Sequence, residues 1–212
     1  MGSTDPSWSP QTVLSTLPYP PEENSASPIP FFHLIERLKT TKREGWRRFD
    51  INGESISDHM YRMSIMTMFP PPELAPKINI AHCTKMALIH DMAESLVGDI
   101  TPADTHITKP EKARREAAVM DYITEDLLGK VPGASMSAQQ MKEVFEEYEE
   151  NKTLDAQYVH DIDKLELLLQ MVEYERSHKV DLSDFEGVVS RVQLPEMKVW
   201  AENVMKERPK LD

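Results

Sequence analysis

The chain has 212 residues, 40% of them hydrophobic, and a single cysteine, Cys83, so it can bury one sizeable core but has no internal disulfide to brace it. Its net charge of −12 and pI near 5.1 repel a polyanion over most of the surface and exclude a duplex nucleic-acid binder, whereas a small phosphorylated substrate needs only a local positive site. No apolar run approaches the roughly 20 residues that span a bilayer. The polar start carries no signal-peptide pattern, so a reducing, cytoplasmic setting without membrane attachment is expected, with the nucleus left open.

Residues 1–30 hold seven of the sixteen prolines, interspersed with Ser, Thr and Asn, and read as a disordered or extended N-terminal tail ahead of one domain over residues 31–212. From Phe31 the apolar stripe Phe31, Phe32, Leu34, Ile35 and Leu38 predicts a helix. A basic run follows, with Lys39, Lys42, Arg43, Arg47 and Arg48 around Trp46. Such a run is usually a solvated face, but an Arg beside a Trp can also bind a phosphate while the indole packs on a sugar or base.

After the Asn52-Gly53 turn, Ser55 or Ser57 can cap a helix through Asp58 to Phe69, stopped by three prolines. Pro76 is placed at the first position of a long central helix that ends at Gly98. The apolar spacing of Met86, Ile89, Ala93, Leu96 and Val97 predicts that helix, yet it also carries His90, Asp91 and Glu94, ionisable groups that must be paired or bind metal if buried. Two His-Asp dipeptides occur, His90-Asp91 and His160-Asp161, so the dipeptide by itself decides nothing. Context favours the first, because the Glu and the Gly-Asp-Ile-Thr-Pro turn follow it.

A helix is predicted from Pro110 to about Leu128, another from a Ser137/Gln140 capping box, a third from Thr153 to about His178 and a last one from Pro195. On the third, Asp161 and Asp163 bracket Ile162. No strand-like alternation and no repeat is found, so the class is all-α.

His59, His90-Asp91 and an aspartate of the 161/163 pair give the order His…His-Asp…Asp, which resembles the HD-domain metal phosphohydrolases. The runs ESISDHMYRM, IHDMAESLVGDITP and VHDIDKLELLLQ resemble in particular the five-prime deoxynucleotidase branch, the HD domain-containing protein 2 family and its fungal relatives. The resemblance implies an α-helical HD bundle in which His59, His90, Asp91 and Asp163 hold one divalent ion, Asp163 rather than Asp161 matching the family aspartate. It implies Glu94 as the group that orients or deprotonates the attacking water. Asp99 then lies near the deoxyribose as a second catalytic candidate, with Thr101 beside it among the substrate contacts. Arg43 and Trp46 occupy the region of the family's phosphate and sugar pair, and either Arg43 or Arg47 can hold the phosphate.

Two imidazoles and two carboxylates suit Mn²⁺, Co²⁺, Fe²⁺ or Mg²⁺, or Zn²⁺ acquired during purification. The expected activity is removal of the 5′-phosphate from a deoxyribonucleoside monophosphate, by a homodimer as in the relatives. The rivals are another HD activity on cyclic nucleotides or triphosphates, and a metal-stabilised binding protein without catalysis.

Overall fold

The structure, a computed structural model, describes residues 8–101, 104 and 106–210. Every regular element among them is helical, and the one β contact is an isolated bridge between Lys42 and Ser55. The chain divides into two compact units, Met1–Asp58 with Ile89–Phe145, and His59–Leu88 with Glu146–Asp212.

The first unit opens with α1 (Pro10–Leu14), α2 (Ile29–Ile35) and α3 (Arg37–Thr40). From Trp8 onward the Pro-rich segment is packed, not loose. Ser9 and Thr12 form a capping box, Pro10 and Leu14 are buried, Arg114 donates to the Trp8 carbonyl at 3.2 Å, and the Arg115 guanidinium lies 5.0 Å from the Trp8 ring centre. Composition alone misses this, because a few anchoring residues offset the ordering cost of a segment that is otherwise polar. Residues 1–7 of the expected tail lie outside the described residues. The stripe seen from Phe31 forms α2 and α3, which bury Phe31, Leu34 and Leu38. A 3₁₀ segment, Glu44–Phe49, succeeds them and was not anticipated.

Short α6 (Glu94–Val97) packs against α3 and α7 (Lys109–Asp121) in this unit. Thr108 caps α7, accepting from the Glu111 N–H, and the helix continues as a π segment, Tyr122–Leu127. Gly129 lies just past its end, where a β-carbon would stand 2.2 Å from the Glu125 carbonyl oxygen, so only glycine fits.

In the second unit, α9 (Leu154–His178) matches the predicted span, with Thr153 as its N-cap, and ends at Lys179, whose φ of 57° is left-handed. It packs against α10 (Pro195–Lys206) and the 3₁₀ segment Ser183–Arg191, burying Tyr158, Val159, Ile162, Leu168 and Met171. The unit borders fall inside α4 (Ile56–Met66), at the end of α5 (Ile80–Ile89) and inside α8 (Ser135–Glu150).

Four predicted boundaries change, the first being that of α4, which ends at Met66 and not at Phe69. Pro76 lies in a turn and α5 starts at Ile80, because the Asn79 side chain accepts from the His82 N–H at 3.1 Å and caps it there. α8 begins at Ser135, which leaves Ser137 inside the helix. The long helix expected to reach Gly98 stops at Ile89: backbone bonds tighten to three-residue spacing (Met92 N to Ile89 O, 2.9 Å; Glu94 N to Asp91 O, 3.0 Å) and helix resumes only at Glu94. Apolar spacing cannot separate these cases, since both windings keep residues three and four apart on one side.

Candidate metal ligands and acid residues

In the first unit, the turn after α5 presents His90 and Asp91 side by side. His90 is 4% exposed, and its Nε2 lies 3.2 Å from Asp91 Oδ2. The same oxygen accepts from Arg43 Nη1 at 3.3 Å. The Lys42–Ser55 bridge and the Arg43 N–H bond to the Glu54 carbonyl hold the basic run in place, and the next amide, Glu44 N–H, donates to Asp99 Oδ2 at 2.6 Å. Part of this run is therefore structure around the acids and not a solvated face.

Glu94, the first residue of α6, is 1% exposed. Lys112 Nζ stands 3.5 Å from its Oε1, while Oε2 has no hydrogen-bond partner among the described residues. Burial, reinforced by the neighbouring Asp91 and Asp99, pushes the Glu94 carboxyl well above its ordinary range. Burial raises Asp99 as well, against the pull of Arg43 and the Glu44 N–H. Two carboxyls with elevated proton affinity, beside an Arg and a Lys, are suited to acid–base chemistry on a bound anion.

The remaining first-unit candidates are placed differently. Trp46 is 2% exposed; its indole N–H donates to Glu54 Oε1 at 2.9 Å, and a β-carbon at Gly53 would meet its ring at 2.5 Å. Arg47 is largely exposed and pairs with Glu44 at 3.0 Å. The Thr101 N–H and hydroxyl both donate to Asp104 Oδ2, at 2.7 and 2.9 Å.

In the second unit, His59 on α4 is fully buried. Its Nδ1 is 2.5 Å from Glu166 Oε2 and its Nε2 is 3.2 Å from Asp163 Oδ1. With Nδ1–H donated to a carboxylate, Nε2 turns a lone pair towards another carboxylate oxygen, an arrangement that a cation or a second ring proton must relieve. Asp163 and Glu166 are three apart on α9 and so share the face that meets His59.

Asp161 does something else. Its two oxygens accept from the Gln193 and Leu194 N–H groups, at 2.7–3.0 Å, and from Lys164, fixing the entry of α10. His160, of the second His-Asp dipeptide, stacks on Tyr148 with ring centres 3.9 Å apart. Glu166 and Lys112 were missed from the sequence. A glutamate set among Leu165, Leu167, Leu168 and Leu169, three residues from a candidate ligand, is the available signal for Glu166.

The fold and these residues define an HD-type helical protein, and the chain belongs to the HD domain family, whose model matches residues 35–200. It is similar to the 5'-deoxynucleotidase hdd1 of Schizosaccharomyces pombe, 46% identical over 187 residues that cover 87% of this chain and 91% of the relative. The 5'-deoxynucleotidase YGK1 of Saccharomyces cerevisiae is 39% identical (85% and 82% covered), and the human 5'-deoxynucleotidase HDDC2 is 37% identical, with 85% of each chain covered. Among solved structures, the HD domain-containing protein YGK1 superposes with a TM-score of 0.64 at 28% identity, over 95% of this chain and 97% of that one. A conserved hypothetical protein of Pyrococcus furiosus reaches 0.68 at 28% identity, over 84% and 99%.

Proposed function

We propose that this chain is a metal-dependent 5'-deoxynucleotidase, which hydrolyses deoxyribonucleoside 5'-monophosphates to deoxyribonucleosides and phosphate. The observation that carries the reading is the match, across most of both chains, to relatives named 5'-deoxynucleotidase in fungi and animals. The placement of candidate residues supports it: His59 meets Asp163, His90 meets Asp91, and the acids Glu94 and Asp99 share a unit with Arg43.

His59, His90, Asp91 and Asp163 would hold the divalent ion, and the chemistry of their donors fits one: two imidazoles and two carboxylates are the ligand types such an ion takes. When bound, such an ion lowers the pKa of water and neutralises phosphate charge. Mn²⁺, Co²⁺, Fe²⁺ and Mg²⁺ all suit the set. Arg43 is the phosphate contact in this reading and not Arg47, because Arg43 is part-buried and anchored at Asp91 whereas Arg47 is spent on Glu44 at the surface. Glu94 takes the proton of the attacking water. The water oxygen bonds to phosphorus as the P–O5′ bond breaks, the proton held by Glu94 passes to the leaving 5′-oxygen, and phosphate departs. Asp99 orients the sugar, and the buried Trp46 shapes the floor beneath instead of offering a stacking face.

The same reading has a homodimer acting in the cytoplasm on a mononucleotide, the net charge of −12 opposing a polymer. No helix among the described residues is long and apolar enough to cross a membrane. Phosphate release from deoxy- and ribonucleoside 5'-monophosphates, cyclic nucleotides and triphosphates, with and without chelator, tests it. Chelator-sensitive release from the deoxy monophosphates is expected. Turnover confined to cyclic or triphosphate substrates, or none with any metal, would refute it.

A further inference from the structure

We infer that Glu166, backed by Arg62, is the positioning residue that makes His59 a ligand: it accepts a hydrogen bond from the ring N–H at Nδ1 and so leaves the Nε2 lone pair directed towards Asp163. This rests on the ligand assignment proposed above. His59 and Glu166 are both withdrawn from solvent, at 0% and 1% exposure, and their contact is short, 2.5 Å between Nδ1 and Oε2. A carboxylate can only accept, so it selects the Nδ1–H tautomer and at the same time fixes the ring plane.

The carboxylate is itself held. Arg62 Nε donates to Glu166 Oε1 at 2.8 Å, and the same guanidinium reaches Gln170 Oε1 at 2.8 Å and Glu173 Oε2 at 2.7 Å. Glu166, Gln170 and Glu173 are spaced four and three apart and therefore line one ridge of α9, which grips the guanidinium along its length. Arg62 and His59 are three apart on α4, one turn of one helix. A buried glutamate whose only task was to pair with a cation would be served by Arg62 directly. Here one oxygen goes to Arg62 and the other to the histidine, which makes a chain running from guanidinium to carboxylate to imidazole to the Asp163 carboxylate.

The experiment uses the full chain with Mn²⁺ as probe. Binding is measured by calorimetric titration of the metal-free parent and of Glu166→Gln, Arg62→Gln and His90→Ala. The expectation is about 10–100-fold weaker binding in Glu166→Gln, a smaller weakening in Arg62→Gln, and a metal-free melting temperature that the Mn²⁺ deficit does not track. Mn²⁺ affinity in Glu166→Gln equal to the parent would overturn the inference and leave the proposed function standing. Parental binding that survives in His90→Ala would overturn the ligand assignment instead. Should the variants not fold, the metal-free parent still decides: a ¹⁵N–¹H correlation of the His59 ring is expected to show the proton on Nδ1, and a neutral ring protonated on Nε2 overturns the proposal.

Discussion

Glu94 in one unit and Asp161 in the other are equally withdrawn from water, at 1% and 0% exposure, but hydrogen-bond donors serve them in opposite ways. Asp161 has two backbone N–H groups and an ammonium directed at its two oxygens. Glu94 has one ammonium at the edge of hydrogen-bond distance, two carboxylate neighbours and an oxygen with no donor among the described residues. A saturated buried carboxylate holds a fold together. An under-served one is costly to keep ionised, and a protein that retains it has a use for its proton affinity.

The comparison breaks most visibly at Glu94. Glu94→Gln is expected to lower kcat on a deoxyribonucleoside 5'-monophosphate by about two to four orders of magnitude, the span of a general base, while Mn²⁺ binding persists. Its melting temperature should stay level or rise, because the substitution removes a buried charge with little compensation. Steady-state kinetics and metal content on one sample check this, and near-parental kcat in a metal-loaded variant would pass the role to Asp99.

Asp161→Ala should show the reverse pattern. Two backbone donors and Lys164 lose their acceptor, a cost of about 3 kcal/mol. For a chain of this length that amounts to a melting temperature lower by about 6–12 °C. Metal binding by the folded fraction should survive. A thermally unchanged variant that has lost Mn²⁺ would mean that Asp161, and not Asp163, is the ligand.

A smaller effect separates the saturated acids by pH. Hydrogen bonds from Arg114 and Arg115 hold the buried Glu111 carboxylate down at about 2, against an ordinary 4.5. Because the folded value is the lower one, its stabilisation is complete above about 4.5 and drains away as pH falls towards 2. Between those limits Glu111→Gln should lose less stability per pH unit than the parent, as followed by denaturant melts. Equal slopes would show that this cluster contributes nothing to acid sensitivity.

Much of this was legible in local chemistry. A helix from Thr153, Pro195 opening another and the apolar spacing of α9 depend on neighbours within a few residues, and the structure keeps them. Candidate-site residues were legible as types at motif positions: His59, His90, Asp91, Glu94 and Asp163. Their partners were not. Lys112 lies 18 residues from Glu94, Glu166 lies 107 from His59 and Asp161 lies 33 from Leu194, so only folding brings them within hydrogen-bond distance.

The sequence by itself determined that the chain is helical, that ionisable groups occur among apolar residues where they must be satisfied if buried, and that those groups are metal-ligand and acid–base types. Periodicity and residue chemistry are local properties, written into consecutive positions. Only the tertiary structure decided that the central helix stops at Ile89, that the Pro-rich segment packs from Trp8 onward, that Trp46 is enclosed, and which of two aspartates on one helix faces a histidine and which fastens α10. Each of those outcomes depends on which distant donor reaches a given atom, and that is set by packing.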